Sequence, residues 1–370
     1  MPNQPKSKEI IVTGGAGFTQ HHLSDNLNDN ESAGNKTVLV TGGAGFIGSN
    51  FIKYWLGKYP DDTVINYDAL TYAGNLENLT GVERNSNYKF IKGDITDYKT
   101  VRRALEGIDW VVNFAAESHN DRAIMDPGIF VKTNVLGTQI LLEAVKDANI
   151  KRFHHISTCE VFGDMELDEK KMFKETDPYA PKTPYNASKA ASNHIVMAYY
   201  HTYHLPVTIS HCANNYGPYQ FPEKIIPLFV TNALENKPLP LFKSSQNRRE
   251  WIHVLDHCGA IDIILRDGKI GESYNIGTLV EKSIEEIADI VLNILHKPHT
   301  LKTYVPDRPQ HDKRYLLDPE KITRELEWSP KIKFEDGIRE TILWYTQNEP
   351  WWKKIKTGEY LEYYKKQYNI

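Results

Sequence analysis

The sequence is poor in the features that mark secreted or membrane-bound proteins. Its 370 residues include only three cysteines, Cys159, Cys212 and Cys258, which are too few for a disulfide framework. Their spacing matches no zinc site, so no metal is predicted. No run of about 18 apolar residues could span a membrane, and the N-terminal stretch MPNQPKSKEI lacks the apolar region of a signal peptide. We therefore expect a cytoplasmic protein in a reducing compartment.

An excess of one charge is also missing. The formal net charge is -4, from 44 Lys and Arg against 48 Asp and Glu. Because no basic stripe or run is present, neither nucleic acid nor a membrane surface is an expected partner. Hydrophobic residues make up 40% of the chain and charged residues 25%, which is typical of a globular protein with a sizeable core.

From residue 36 onward, short β-rich runs alternate with helical stretches. The runs KTVLVTG, TVINYD, DWVVNFAA and RFHHIST are typical of strands. This alternation predicts an α/β fold, a Rossmann-like doubly wound parallel sheet covered on both faces, over residues 36–217. Prolines cluster beyond that point, which predicts a smaller C-terminal α/β lobe over residues 218–370 that binds substrate and returns segments to the first domain.

The string VTGGAGF occurs twice, 28 residues apart. A dinucleotide-binding turn needs one glycine for the tight turn, one for the approach of the pyrophosphate and one for helix packing. The second copy supplies Gly42, Gly45 and Gly48, and Asp68 follows 20 residues later. An acidic residue at that distance accepts the ribose hydroxyls of NAD and disfavours the 2′-phosphate of NADP. We therefore predict that NAD binds at the second copy.

The first copy lies within residues 1–35 and has Gln20 in place of the third glycine. A glutamine side chain would crowd the contact between helix and strand, and the stretch that follows is polar and contains no strand. We therefore interpret residues 1–35 as a degenerate duplicated arm. The alternative is an extra strand added to the edge of the sheet.

The segment PYNASKAA places Tyr185 and Lys189 four residues apart, on one face of a helix. A lysine ammonium lowers the pKa of a neighbouring phenol, which would make the tyrosine a base for a sugar hydroxyl. Such a pair also occurs on ordinary helix surfaces. Upstream, Thr158, Cys159 and Glu160 directly follow a strand, at the edge of an α/β sheet where ligands bind.

These strings resemble the extended short-chain dehydrogenases/reductases, specifically the nucleoside-diphosphate-sugar dehydratases of the dTDP-glucose 4,6-dehydratase family. The matching strings include TGGAGFIGSNF, YDALTYAGNLENL, FAAESH, NNYGPYQFPEKIIPL and DRPQHDKRY, and the resemblance extends from residue 36 to the end. It implies an NAD-dependent hydro-lyase that oxidises C4 of a nucleoside-diphosphate hexose, eliminates water across C5 and C6, and returns the hydride. It also implies a homodimer.

The resemblance implies a role for individual residues. Tyr185 would deprotonate the C4 hydroxyl, Thr158 would hydrogen-bond the C4 oxygen, and Glu160 would remove the C5 proton. Besides the three glycines, the implied NAD contacts are Phe46, Ile47, Asp68, Asp94, Ile95, Ala115, Ala116, Thr133, Tyr185, Lys189 and Asn215. The implied substrate contacts are His119, Asn214, Lys224, Arg249, Arg308 and His311.

The chain departs from the family pattern close to these residues. Cys159 stands where the family has the aspartate that protonates the departing C6 hydroxyl. A thiol is a weaker acid by about four pKa units, so Cys159 is either a poor proton donor or a small apolar filler. Asn120 replaces a valine, and Lys243-Ser244-Ser245 replaces a Gly-Asp-Gly.

Four functions remain open at this point. The first is 4,6-dehydration, and the second is a 5,6-dehydration that returns the hydride to C4 and leaves a 5,6-unsaturated sugar. A 4-epimerase is the third, although it would leave Glu160 without a role. The fourth is a non-catalytic paralogue that binds NAD and a sugar nucleotide, which the missing acid favours and the intact set of Tyr185, Lys189 and Glu160 opposes.

Overall fold

A computed structural model describes residues 35–307 and 309–368. The first glycine copy and Arg308 lie outside these residues, so what the sequence predicts for them stays a prediction. Within the described part of the chain the strands are β1 (Thr37–Thr41), β2 (Thr63–Asp68), β3 (Tyr88–Lys92), β4 (Trp110–Asn113), β5 (Arg152–Thr158), β6 (Val207–Cys212), β7 (Asn214–Tyr216), β8 (Leu239–Phe242), β9 (Arg248–His253), β10 (Ser273–Ile276), β11 (Glu281–Ser283) and β12 (Lys302–Val305).

A seven-stranded sheet in the order β10-β6-β5-β4-β1-β2-β3 forms the centre of the larger lobe. Every pairing within it is parallel. The chain proceeds from β1 through β2 and β3 in one direction and through β4, β5 and β6 in the other, so the strand order reverses between β1 and β4. Ligands of doubly wound sheets bind beyond the carboxyl ends of the strands at such a reversal. The predicted α/β fold class is confirmed.

Helices cover both faces of this sheet. The described residues form α1 (Phe46–Lys58), α2 (Tyr98–Ala104), α3 (Asn120–Met125), α4 (Pro127–Phe130), α5 (Thr138–Lys146), α6 (Pro184–Tyr203), α7 (Ile225–Leu234), α8 (Val254–Asp267), α9 (Ile284–Ile294), α10 (Glu320–Leu326), α11 (Phe334–Gln347), α12 (Glu349–Ile355) and α13 (Glu359–Tyr368). Phe51 of α1 and Ile261 of α8 are buried in the core on one face, and Leu141 of α5 and Val196 of α6 in the core on the other. No helix of the described residues is long and apolar enough to cross a membrane.

The second lobe has a core of its own. A three-stranded sheet in the order β11-β9-β7 and a parallel pair of β8 and β12 lie beside it. Its buried side chains include Phe229 of α7, Val291 of α9, Ile342 of α11 and Trp352 of α12. By contrast, β10 and α8 belong to the large sheet and its cover, although they come from the region after residue 217. The division of the chain at residue 217 stays a prediction.

Local chemistry determines where α6 begins and ends. Thr183 is the N-cap, with an extended backbone, and its side chain accepts a hydrogen bond from the backbone N–H of Asn186. Pro184 stands in the first turn, where its missing N–H costs nothing. The helix ends at Tyr203, and the left-handed backbone of the next residue, His204 (φ 57°), terminates it. The capped N-terminus of α6 thus places Tyr185, in the first turn of the helix, near the end of β5.

Candidate active site

The second glycine turn forms an open cradle at the end of β1. Gly42 has a φ of 69°, and a Cβ there would lie 2.7 Å from the backbone nitrogen of Ala115. A Cβ at Gly48 would lie 2.4 Å from the carbonyl oxygen of Gly42, so this glycine is required for packing. A Cβ at Gly45 would meet only that oxygen, at 3.3 Å, and Gly45 caps α1 without a side-chain hydrogen bond. The first N–H groups of α1 therefore remain available to an anion.

Asp68 ends β2 beside this turn and has a structural role that the sequence did not indicate. One carboxylate oxygen accepts a hydrogen bond from the N–H of Ala44 at 2.9 Å, and the other from Leu70 at 2.7 Å. Asp68 thus ties the glycine turn to the loop after β2. Since a carboxylate offers about four acceptor sites, each oxygen keeps capacity for a ribose hydroxyl. Burial raises the pKa of Asp68 above its ordinary value.

The other candidate NAD contacts lie along the same edge of the sheet. Phe46 and Ile47 are half-buried in the first turn of α1, and Thr133 lies in a π-helical segment, Val131–Gly137. Such segments are frequent at functional sites. The remaining candidates follow strand ends or occupy β7: Asp94, Ile95, Ala115, Ala116 and Asn215. The structure therefore brings the described NAD candidates to the carboxyl edge, as expected for a dinucleotide site.

Tyr185 and Lys189 both lie buried on α6, but their contacts differ from the expectation. The Lys189 ammonium donates to the carbonyl oxygen of Ile156 at 2.7 Å and lies 3.4 Å from Nε2 of His155, both on β5. Burial lowers the pKa of Lys189 to about 8. The pKa of Tyr185 is raised well above its usual range by burial first and then by the negative charge of Glu160, while a hydrogen bond with Thr158 opposes the rise. In this structure the ammonium is directed to the backbone of β5, and the lowering of the phenol pKa by Lys189 stays a prediction.

Glu160 lies in the short helical turn that follows β5, Cys159–Phe162. Its N–H donates to the side-chain oxygen of Thr158, the N-cap of this turn, at 3.3 Å. Its carboxylate accepts a hydrogen bond from Nδ2 of Asn120 at 2.7 Å. Burial raises the pKa of Glu160, as does Asp312, whereas Asn120 and the cations Arg249 and Lys224 lower it. A carboxylate with a raised pKa is a stronger base, which suits removal of a carbon-bound proton.

Cys159 is only 1% exposed and packs in an apolar cluster. Its neighbours in this cluster include Val161, Phe162, Phe173 and Leu317. Burial raises the pKa of the thiol well above its usual value, and the negative charge of Glu160 adds to the rise. Cys159 is therefore a neutral thiol at physiological pH, and its surroundings are those of a packed side chain.

Most of the described substrate candidates hydrogen-bond neighbouring groups. Lys224 donates to the carbonyl oxygen of Ser118, and Arg249 donates to the carbonyl oxygen of Asp312 at 2.9 Å. Nδ2 of Asn214 is buried without a hydrogen-bond partner among the described residues, as expected of a group that awaits a ligand. Two candidate histidines hydrogen-bond neighbouring hydroxyls: His119 to Tyr363 at 3.4 Å and His311 to Ser244 at 2.8 Å.

Two residues at the site were given no role from the sequence. Asn120 contacts Glu160, and Thr183 contacts Asn120. Asn120 stands out in the sequence as a departure from the family pattern, but nothing in that pattern names its partner. Thr183 precedes a proline, which signals a helix start and no more.

Comparisons with known proteins show the family of this chain. A family model described as GDP-mannose 4,6 dehydratase matches residues 39–341. The dTDP-glucose 4,6-dehydratase of Xanthomonas campestris pv. campestris is 46% identical over 334 residues, which cover 85% of this chain and 94% of that protein. The enzyme of the same name from Salmonella typhimurium is 44% identical, with 97% of this chain and 99% of that protein covered.

A solved structure extends the agreement to three dimensions. The dTDP-glucose 4,6-dehydratase of Streptomyces venezuelae, determined with NAD and TYD bound, superimposes with a TM-score of 0.84 at 47% identity, and the match covers 86% of this chain and 100% of that one. The parallel seven-stranded sheet also matches the fold that the sequence resemblance implied. The chain therefore belongs to the nucleotide-sugar 4,6-dehydratases of the extended short-chain dehydrogenase/reductase family.

Proposed function

We propose that this protein is an NAD-dependent dehydratase of a nucleoside-diphosphate hexose, with dTDP-glucose as the first substrate to test. The reaction oxidises C4, eliminates water across C5 and C6, and returns the hydride. The observation that carries the proposal is the convergence of Thr158, Glu160 and Tyr185 at the carboxyl edge of the sheet, next to the open glycine turn.

The residues around that turn fit NAD. Gly45 leaves room for the pyrophosphate, the N-terminus of α1 offers N–H groups, and Asp68 keeps acceptor capacity for the adenosine ribose. Bound NAD would supply the acceptor of the C4 hydride and the donor that later returns it. The acidic group at the end of β2 favours NAD over NADP.

Tyr185 is the proposed base for the C4 hydroxyl. Thr158 interacts with the phenol and lowers its pKa, and it is the proposed hydrogen-bond partner of the C4 oxygen. Since burial and Glu160 raise the pKa of the phenol, its ionised form needs a nearby cation. Lys189, with a pKa of about 8, is still protonated at neutral pH and lies one helical turn away. We propose that it provides this charge to the site.

Glu160 is the proposed acceptor of the C5 proton, which a ketone at C4 makes acidic. Hydroxide then departs from C6 and must gain a proton to leave as water. Cys159 occupies the position of the family's acid, and we propose it as a weak proton donor, because a neutral buried thiol has little tendency to give up its proton. The hydride returns to C6 and a proton to C5, which completes the 4-keto-6-deoxy sugar.

The apolar packing of Cys159 favours one alternative product. If proton supply to the C6 hydroxyl is slow, the partition between product types can change, and hydride return to C4 after elimination gives a 5,6-unsaturated sugar. Mass spectrometry of the product separates these outcomes from epimerisation, which loses no water. A methyl signal with solvent deuterium at C5 identifies the 4-keto-6-deoxy sugar. If several nucleotide hexoses give no loss of water and no reduced nicotinamide signal, the proposal is contradicted.

Lys224 and Arg249 are the proposed partners of the substrate diphosphate. Arg249 uses two of its terminal nitrogens on backbone carbonyls of residues 248 and 312, and the remaining N–H groups of its planar fork stay available. His119, Asn214, His311 and, outside the described residues, Arg308 complete the proposed substrate set.

We also propose a cytoplasmic homodimer. Three large apolar side chains on α4 and the π-helical segment after it are exposed: Ile129 at 37%, Val131 at 56% and Leu136 at 47%. A second copy of the chain would cover them. The three cysteines are free and buried, which suits a reducing compartment. Sedimentation of the wild type and of Val131→Glu tests the dimer, and an unchanged sedimentation coefficient would contradict this interface.

A further inference from the structure

Asn120 connects two parts of the site that are distant in the sequence. It is the first residue of α3, and its Nδ2 lies 2.7 Å from Oε2 of Glu160. Its Oδ1 accepts a hydrogen bond from the hydroxyl of Thr183 at 2.6 Å. Thr183 is the N-cap of α6, the helix that carries Tyr185 and Lys189. One amide thus joins the proposed C5 base to the helix of the proposed C4 base.

The hydrogen bonds in this chain of groups run in one direction, from the backbone of α6 to Glu160. The N–H of Asn186 donates to the Thr183 oxygen at 3.2 Å, so the hydroxyl hydrogen is directed away from it, to Oδ1 of Asn120. With its oxygen occupied by a donor, the amide presents its NH₂ group to Glu160. Glu160 accepts the hydrogen bond in this contact, and an amide donor of this kind favours the ionised form of a carboxylate.

We propose that Asn120 is a positioning residue, which orients the Glu160 carboxylate against the N-terminal end of α6 and stabilises its ionised form for removal of the C5 proton. This inference rests on the proposed function for the identity of the proton, but the contact itself does not. In the family pattern this position holds valine, which has no donor. Two departures from the family pattern lie near Glu160. At Cys159 a thiol replaces the family's acid, and at Asn120 an amide donor replaces an apolar valine.

The charges around Glu160 show why a neutral donor matters there. Among the described residues, the carboxylate of Asp312 raises the pKa of Glu160, and the cations Arg249 and Lys224 lower it. The phenols of Tyr185 and Tyr315 and the thiols of Cys159 and Cys212 also face it, and all four are buried. Burial and Asp312 raise the pKa of Glu160, and Asn120 opposes this rise directly by its hydrogen bond.

The experiment removes the donor and keeps the shape. Asn120→Leu is close to isosteric, and Asn120→Val restores the family residue. In both variants we expect the pKa of Glu160 to rise by about one unit, because a hydrogen bond to a charged group is lost. Infrared titration of the carboxylate band, as the difference between each protein and its Glu160→Gln counterpart, measures that pKa without any turnover.

The pH profile of solvent deuterium exchange at C5 gives a second readout. Below the wild-type pKa, exchange in Asn120→Leu should be about tenfold slower, and above the raised pKa it should approach the wild-type rate, whereas C4 oxidation stays the same at each pH. A merely structural role would slow exchange by the same factor at every pH. Asn293→Leu, which makes the same change at an exposed residue of α9, is the matched control and should alter neither readout.

A second variant keeps the test open if Asn120→Leu folds poorly. Thr183→Val leaves the amide in place but removes the hydroxyl that orients it, and should shift the Glu160 pKa in the same direction by less. An unchanged infrared titration in the folded variants would overturn the inference. If the infrared pKa shifts but the wild type does not oxidise C4 of any nucleotide hexose, the contact is upheld and the proposed function fails.

Discussion

Replacing Cys159 by aspartate tests whether proton supply limits the elimination. The family's acid would return to its position at the start of the turn after β5. The buried surroundings and the charge of Glu160, which raise the pKa of the thiol, would also raise the pKa of an aspartic acid there. The introduced carboxyl group would therefore be protonated before it donates, as a general acid must be.

The expected size of the effect follows from acidity. An ordinary thiol has a pKa about four units above that of aspartic acid, and a positioned general acid contributes roughly 10²–10⁴-fold to a rate. We expect Cys159→Asp to speed elimination by about 10²-fold and to favour the 4-keto-6-deoxy product. A new polar group in the apolar cluster should reduce the free energy of unfolding by about 1–3 kcal/mol, which chemical denaturation measures.

The assay separates oxidation from elimination. Absorbance of the reduced nicotinamide after mixing reports oxidation at C4, and quenched mass spectrometry reports loss of water. We expect oxidation to be the same in the wild type and in Cys159→Asp. If the variant folds and oxidises C4 but eliminates water no faster than the wild type, proton supply at this position is not limiting and the reasoning is refuted.

Cys159→Ala assigns the role of the thiol itself. Slower elimination than in the wild type would show that the thiol donates a proton. Equal rates would show that it is an apolar filler in its cluster and that another group or water supplies the proton. Cys159→Ser is the size-matched control: its hydroxyl is a still weaker acid and should give no acceleration.

Three further predictions concern the cofactor site and the fold. Gly45→Val should abolish NAD binding and keep the fold, whereas Gly48→Val should lower the unfolding temperature, because its Cβ would lie 2.4 Å from the backbone oxygen of Gly42. Calorimetry with and without NAD distinguishes the two variants. Deletion of residues 1–34 should change neither NAD binding nor the unfolding temperature. Nucleotide extracted from the purified protein should be NAD because of Asp68, and predominant NADP would contradict that assignment. Burial lowers the pKa of His154 to about 3, so the unfolded state takes up a proton before the folded state does as pH falls below about 6.5. Between pH 7.5 and 5 the free energy of unfolding of the wild type should therefore fall by about 2 kcal/mol more than that of His154→Gln. Equal losses in urea titrations of the two proteins would contradict this.

Much of the fold could be predicted from local pattern. The buried runs of β1 and β4 are mostly apolar because both faces of a parallel sheet are covered, and this continuous character is visible in the sequence. By contrast, β5 also buries polar side chains, among them His154, His155 and Ser157. The strand order and the comparisons confirm the predicted class. The π-helical segment, Val131–Gly137, could not be told from an ordinary helix, because its i to i+5 bonding leaves no mark in a 3.6-residue pattern.

The sequence by itself determined the glycine turn, the acidic residue that ends β2 and the spacing of Tyr185 and Lys189, because these features depend on residues close together in the chain. Only the tertiary structure decided which groups those residues contact. Lys189 bonds the carbonyl of Ile156, 33 residues away, and Asn120 holds Glu160, 40 residues away. Packing of α3 against α6, and of α6 against β5 and the turn that follows it, accompanies these contacts, and the burial of Tyr185 raises the pKa of its phenol. Burial and long-range hydrogen bonds are properties of the folded chain, and no local spacing encodes them.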